Sequence, residues 1–328
     1  MYPGAAVVVV GVDDAGTADA AVDWAAAEAA ARGCSLRVVH AFHPPLPADP
    51  YGVASPLDGL VGARAVAEDV LRAHVARARF VASDLDVAAH LAYGSAVQVL
   101  LAEASRARLL VTGSRGLVGL RALLGRSVSA RVAARAPCPV VVVRPPDGAD
   151  PDGADGAVPD GAVPDGAVPD GGAPPRVVVG VDGRSAETPE VGFAFEAARQ
   201  RGVPLVAVHA WVADPPADLE AVCAPSTVAE AAARRRLDRA VESWHARYPA
   251  VPVVTRLVRA DPARAIAEES RGAALVVVGT RGRGLVLGAL RGSVSRAVLG
   301  RVRAPVAVVH RVHHADTRAR DGFDAATA

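Results

Sequence analysis

The second half of this 328-residue sequence repeats the first half, and the repeat restricts the fold more than any other feature. VVVVGVDD at 7–14 matches RVVVGVDG at 176–183, and LLVTGSRG at 109–116 matches LVVVGTRG at 275–282. A unit of about 140 residues has the size of one ordinary domain. The sequence therefore predicts two domains of the same fold in one chain.

The segment between the two copies has no large apolar side chains with which to build a core. Residues 145–175 read PPDGADPDGADGAVPDGAVPDGAVPDGGAPP, an imperfect DGAVP repeat. Burial cannot offset the entropy of ordering such a segment, which predicts a disordered linker. We therefore expect a first domain at 1–145, a linker at 146–175, a second domain at 176–311 and a flexible tail at 312–328.

Short Val-rich runs alternate with longer helical patterns in both halves. Continuous apolar runs are typical of parallel strands buried on both faces and joined by helices, so each half predicts a doubly wound α/β sheet of five strands. Gly33 and Gly202 are expected to end the first helix of each half in the left-handed conformation. The expected strands are 6–12, 35–41, 86–92, 108–113 and 139–144, then 176–181, 204–210, 252–258, 274–279 and 305–310.

Composition and charge exclude several classes of protein. The net charge is +1, with 36 basic against 35 acidic residues, so the charge expected of a nucleic-acid binder is missing. All the basic residues in that count are arginine, which excludes a Schiff-base or Walker-type lysine. No apolar run approaches the roughly 18 residues that span a bilayer. With three widely spaced cysteines and no signal-like start, we expect a cytoplasmic protein without membrane or nucleic-acid partners.

The fourth strand of the second half leads into a glycine-rich loop, GTRGRGLVLGALRGSVSRAVL. It fits G-x2-G-x9-G-S through Gly279, Gly282, Gly292 and Ser293. Glycines that leave a strand let the backbone approach a phosphate, and the helix that opens at Val294 has free N–H groups that favour an anion. Ser293 would either donate to phosphate or cap that helix.

Asp182 follows the first strand of the second half and faces the same crevice as this loop. Its carboxylate can accept hydrogen bonds from an adenine amino group or from a ribose hydroxyl. The plainer alternative is that Asp182 caps the next turn or helix. Likewise, the plainer alternative for the glycines is a tight connection between a strand and a helix.

The VGVD strand ending, the VHA of the second strand and the long loop together resemble the universal stress protein family, in its ATP-binding branch. The resemblance covers nearly all of the chain outside linker and tail. It implies two Rossmann-like (adenine nucleotide α-hydrolase-like) domains, each with five parallel strands in the order 3-2-1-4-5 and helices on both faces. It also implies ATP, with Mg²⁺ or Mn²⁺ bound through the phosphates, and pairing of the two domains through their last strands. A homodimer of the whole chain is compatible with the sequence.

Carried over position by position, the resemblance implies a nucleotide site in the second domain. Adenine would contact Asp182 and Ala210, the ribose and phosphates would contact Gly279 and Gly282, and the terminal phosphates would lie around Ser293. The full expected set is Val181, Asp182, Ala210, Gly279, Arg281, Gly282, Gly292, Ser293 and Val294.

The first half departs from this pattern, because Arg126 stands where the second half has Gly292. If the position needs a positive φ, arginine costs of order 1 kcal/mol and crowds the phosphate. If its guanidinium turns outward, it can instead pair with phosphate oxygens. We expect weaker or altered binding by the corresponding set, Val12, Asp13, Ala41, Gly113, Gly116, Arg126, Ser127 and Val128.

No general base or dedicated carboxylate pair is evident beside the loop, so no catalytic residue is predicted and at most slow ATP hydrolysis is expected. ATP pyrophosphatases on a similar sheet carry an SGGxDS-type loop after the first strand, where this chain reads VDDAG and VDGRS. The expected function is therefore an ATP-binding stress-response regulator in the cytoplasm. The alternative is a nucleotide-free interaction module.

The remaining reactive residue types have plainer interpretations. His40 and His209 lie at strand ends and are expected to pack rather than to catalyse. Cys138 is expected to be a small buried filler, since the second half has Ala304 at that place. No metal site is predicted at His310, His313 and His314, which lead into the polar tail, and the arginine run at 234–236 is expected to form a solvated helix face.

Overall fold

A computed structural model describes residues 7–13, 18–43, 56–114, 127–145, 174–183, 188–211, 226–280 and 294–310. The first domain contains β1 Val7–Val12, α1 Ala18–Arg32, β2 Ser35–Phe42, α2 Pro56–Val81, β3 Val87–Tyr93, α3 Ala96–Ala104, β4 Leu109–Gly113, α4 Val128–Arg135 and β5 Val140–Val143. The second contains β6 Arg176–Gly180, α5 Pro189–Arg201, β7 Leu205–Ala210, α6 Ser226–His245, β8 Val253–Val258, α7 Pro262–Glu269, β9 Ala273–Gly279, α8 Val294–Arg301 and β10 Val306–Val309.

The strands form one sheet in the order β3-β2-β1-β4-β5-β10-β9-β6-β7-β8. Neighbours within each half are parallel, so each half has the predicted order 3-2-1-4-5 and the predicted α/β fold is confirmed. The halves meet where β10 pairs antiparallel with β5, with Val306 opposite Val142 and Val308 opposite Val140.

The strands are valine-rich because both of their faces are buried. Val8 and Val10 of β1 belong to a core formed with α1 and α2, whereas Val9 belongs to the core on the other face, with α3 and α4. Each fully buried valine is worth about 1.5–3 kcal/mol relative to exposure, so neither face tolerates polar alternation. Helices therefore cover both faces.

The two glycines predicted to end the first helix of each half do so. Gly33 has a φ of 61° and Gly202 a φ of 64°, the left-handed conformation that glycine adopts without steric cost. The N–H of Gly202 donates to the carbonyls of Ala198 and Arg199. After each glycine the chain reverses and enters the second strand of its domain, which pairs parallel with the first.

Helices α1 and α5 carry an arginine cluster that joins the two domains. Arg32 and Arg201 occupy matching positions at the ends of these helices, and both bind the carboxylate of Glu28, which is 3% exposed. The guanidinium of Arg32 lies 5.3 Å from the ring centre of Phe193, and that of Arg201 lies 5.6 Å from Trp24. Each arginine therefore packs on an aromatic ring of the other domain.

The last residues of both domains also cross the junction. Nε2 of His310 donates to the carbonyl of Ala133 in α4 at 2.9 Å, and Arg144 donates to the carbonyl of Leu299 in α8. Nδ1 of His310 lies 2.9 Å from the hydroxyl of Thr280, and burial lowers the pKa of His310, so the neutral ring accepts this hydrogen bond. The sequence placed His310 at the end of the last strand and indicated no contact for it, and the structure shows that it contacts both domains.

No helix in the part of the chain that the structure describes is both long enough and apolar enough to span a membrane.

Candidate nucleotide-binding site

A cavity of about 320 Å³ lies at the carboxyl ends of β6, β7 and β9, where a parallel sheet of this order binds its ligands. Five predicted residues line it: Val181, Asp182, Ala210, Gly279 and Val294. A larger, open depression of about 750 Å³ begins at the amino end of β9, between α7 and α8. It contains no predicted site residue, so the smaller cavity is the candidate site.

At two glycines near the strand ends, neighbouring side chains occupy the space that a Cβ would need. A Cβ at Gly279 would lie 2.9 Å from Cδ of Glu190, and a Cβ at Gly180 would lie 2.6 Å from Cδ1 of Ile266. A larger residue at either position would require Ile266 or Glu190 to move, and at Gly279 glycine also allows the close backbone approach that the loop motif predicts.

A histidine fixes the end of the first strand in each domain. Nδ1 of His209 lies 2.7 Å from the carbonyl of Val181, and Nδ1 of His40 lies 3.0 Å from the carbonyl of Val12. A carbonyl only accepts, so Nδ1 carries the proton in both rings. The residue that follows each valine is the candidate adenine contact, so these histidines hold the backbone just before it.

A serine fixes the beginning of the loop in each domain. The hydroxyl of Ser295 in α8 donates to the carbonyl of Gly279 at 2.9 Å, and that of Ser129 in α4 donates to Gly113 at 2.6 Å. These serines are buried and are the second residues of their helices. Each loop is therefore tied at its first glycine to the helix that follows it.

The first-domain candidates lie at the same edge of their own strands. Val12 and Gly113 end β1 and β4, Ala41 lies near the end of β2, and Asp13 follows β1. The hydroxyl of Ser127 accepts from the N–H of Ala130, so this serine caps α4, which begins at Val128. The predicted residues Arg281, Gly282, Gly292, Ser293, Gly116 and Arg126 lie outside the described residues.

The model of the universal stress protein family matches residues 6–144 and 175–310. The chain belongs to the universal stress protein family. It is 37% identical to a universal stress protein of Mycobacterium tuberculosis (strain ATCC 25618 / H37Rv), over 93% of this chain and 97% of that protein. A universal stress protein from Archaeoglobus fulgidus DSM 4304 superposes with a TM-score of 0.63 at 18% identity, over 93% and 96% of the two chains. A universal stress protein in complex with cAMP is 30% identical, with a TM-score of 0.33, over 42% and 95%.

The cavity of the second universal stress protein domain is lined by a buried acidic residue that the motif did not indicate. Glu190, in the first turn of α5, is 2% exposed and lines the cavity beside Gly279. The matching residue of the first domain is Ala21, which is also buried. Comparing the repeated halves could have revealed this acidic residue, because it interrupts an otherwise apolar helix face.

The rim of this cavity carries two further side chains. Arg236 lines it, and a Cβ at Gly183 would lie 2.8 Å from Cβ of Arg236. The run at 234–236 is exposed, as the sequence predicts, but Arg236 also lies at the candidate site. Trp211 lines the cavity with the Arg259 guanidinium 5.5 Å from its ring centre.

The cysteines described in this universal stress protein, Cys34 and Cys138, are both buried. Burial raises the pKa of the Cys138 thiol to about 12, so it stays protonated at neutral pH. This agrees with the predicted role of Cys138 as a buried filler. The described residues also contain no cluster of three or more metal-ligating side chains.

Proposed function

We propose that this universal stress protein is an ATP-binding regulatory protein of the cytoplasm, in which the second domain holds the nucleotide and the first holds it weakly or not at all. The proposal rests on the cavity at the carboxyl ends of β6, β7 and β9, because five residues expected from the motif line it. Its volume of about 320 Å³ lies in the range of small-molecule sites, and its lining contains several polar side chains that could orient a ligand.

The nucleotide would lie with its adenine at Asp182 and Ala210 and its ribose beside Gly279. Its phosphates would extend towards the beginning of α8 at Val294, where free N–H groups and the helix dipole favour an anion. Mg²⁺ or Mn²⁺ would be bound through the phosphates, where it would neutralise part of their charge. We assign no catalytic residue, and at most slow hydrolysis is expected.

Regulation would follow from the junction between the domains. Thr280 is the first residue of the loop, and its hydroxyl contacts His310, which in turn contacts Ala133 of the first domain. ATP in the second domain would stabilise one arrangement of this junction, and so couple the supply of ATP to a stress response. The same pairing of β5 with β10 is proposed to join the domains in solution, with a homodimer of the chain as a further assembly.

The test is calorimetric titration of ATP with Mg²⁺ into the intact protein, Gly292→Arg and Arg126→Gly. We expect one site in the intact protein. Gly292→Arg should weaken it by about tenfold or more, since a side chain at this position of the motif would crowd the phosphates that the backbone is expected to approach. Arg126→Gly should strengthen binding in the first domain, and Gly171→Arg in the linker is the control for added charge.

Two equal sites in the intact protein, or a site that survives Gly292→Arg, would contradict the assignment to the second domain. If no ATP binds to the intact protein, the nucleotide-free interaction module replaces this proposal.

A further inference from the structure

The cavity of the second domain has an acidic wall that the glycine motif does not explain. Glu190 is almost fully buried, and its Cδ and Oε2 lie 2.9 and 3.1 Å from the point where a Cβ on Gly279 would be. The carboxylate therefore lies against the backbone at the end of β9, and Glu190 lines the cavity. The first domain has only the methyl group of Ala21 at this place.

Glu190 lines the same cavity as another carboxylate, that of Asp182. Strands β6 and β9 are neighbours, with Gly180 opposite Val278. Asp182 follows β6 and Glu190 lies against the end of β9, so adjacent strand ends both carry a carboxylate. The helix α8 begins at Val294 on another part of the wall. The cavity thus has an acidic region and a separate region that favours an anion.

This distribution decides which part of a nucleotide can contact Glu190. In a buried site a carboxylate repels a phosphate strongly and accepts hydrogen bonds from N–H or O–H groups. A nucleotide offers the adenine amino group and the ribose hydroxyls as donors. The amino group is already assigned to Asp182, and Gly279 is the residue beside the ribose, so the donor at Glu190 is a ribose hydroxyl.

We propose that Glu190 is a specificity-determining residue that accepts a hydrogen bond from a ribose hydroxyl, so that the second domain selects ribonucleotides over their deoxy counterparts. The inference rests on the nucleotide binding proposed above. A ligand that lacks the hydroxyl cannot donate this hydrogen bond, so a site that uses a buried carboxylate to accept it discriminates against that ligand. The first domain, with Ala21, has no such discrimination.

Two other roles of Glu190 make different predictions. An acidic residue in the first turn of a helix stabilises that helix through its dipole, and this role gives no dependence on the ribose. A carboxylate that acts through Mg²⁺ would give a dependence on the metal and not on the hydroxyls. Both are tested in the same experiment.

The experiment measures, by calorimetry, the affinities of the intact protein and its variants for ATP, 2′-deoxy-ATP and 3′-deoxy-ATP. Each titration is made with EDTA and again with Mg²⁺. The variants are Glu190→Ala, which copies the first domain, Glu190→Gln, which keeps the volume, and Glu268→Ala as control. Glu268 is a half-exposed acid on α7 that pairs with Arg264. Thermal unfolding of each variant shows whether it is folded.

We expect the intact protein to prefer ATP over one of the deoxy analogues by about tenfold or more, the range of a hydrogen bond to a charged group. Glu190→Ala should reduce this ratio to within about twofold, mainly by weakening ATP. Glu190→Gln should give an intermediate ratio, and Glu268→Ala should keep the full ratio. The ratio should be the same with and without Mg²⁺.

Equal affinities for ATP and both deoxy analogues in the intact protein would overturn the inference and leave ATP binding intact. A ratio that survives in folded Glu190→Ala or Glu190→Gln, or one that needs Mg²⁺, would also overturn it. Failure of the intact protein to bind ATP at all would overturn the proposed function together with this inference.

Discussion

The two domains have the same backbone frame and different cavity chemistry. Each holds its first strand with a histidine, His40 or His209, and its loop with a buried serine, Ser129 or Ser295. In contrast, the first domain has alanine where Glu190 lies in the second. Both domains therefore keep the histidine and serine contacts that build the site. They differ in single side chains of the cavity, which set what each domain can bind.

The domains also differ in how their first two helices are joined. In the first, Arg77 binds Asp23 through two hydrogen bonds of 2.6 Å. In the second, Trp244 packs over Gly192, where an added Cβ would lie 2.4 Å from the ring, and its indole N–H donates to Thr188 at 3.1 Å. The first two helices are therefore joined by a half-exposed ion pair in the first domain and by close packing in the second.

The largest effect is expected from removing the link between the two copies with Glu28→Ala. Glu28 and Arg32 are both buried, and Arg201 shares the same carboxylate. Breaking a buried pair leaves charges uncompensated and costs about 3–5 kcal/mol. Urea unfolding should show this loss, whereas Glu268→Ala, in an exposed pair, should change stability by at most about 1 kcal/mol. A change below about 1 kcal/mol in Glu28→Ala would contradict this role of the cluster.

A smaller effect is expected from Gly192→Ala, which sharpens the contrast in helix joining. Overpacking against Trp244 should destabilise the second domain by about 1–3 kcal/mol, despite the gain of about 1 kcal/mol in helix propensity. Asp23→Ala at the matching position should cost at most about 1 kcal/mol, and less at high salt. Thermal unfolding at two salt concentrations measures both. Equal losses in the two variants would show that the helix contacts are equivalent.

The smallest effect is expected in the pH dependence of stability. The last strand of the second domain is followed by His310, whereas that of the first domain is followed by Arg144. Because burial lowers the pKa of His310 in the folded protein, the unfolded chain takes up the proton first as the pH falls. Stability should therefore decrease below about pH 6.5, the ordinary histidine pKa, and be unaffected above it. His310→Gln should remove this part of the decrease in melting temperature, and His90→Gln, at a half-exposed site, should not. Identical pH profiles for the intact protein and His310→Gln would exclude this contribution.

The sequence predicted the fold more completely than the site. Each of the ten strands begins and ends within one or two residues of its expected bounds, because short valine-rich runs between turn signals favour parallel strands buried on both faces. Asp182 and Gly279 could be placed in the crevice because they lie directly at strand ends. Glu190 could not, because its position depends on how α5 packs across β9. The contact of His310 with Ala133 joins residues 177 positions apart, which no local pattern indicates.

The antiparallel junction of β5 and β10 determines how the two candidate sites relate to each other. The strands of each domain are parallel, so reversal at the junction points the carboxyl ends of the two domains to opposite edges of the sheet. A ligand with two nucleotides on a short tether would have to cross the sheet to reach both edges. A bis-nucleotide should therefore gain no avidity, and either copy can change its ligand without steric interference from the ligand of the other.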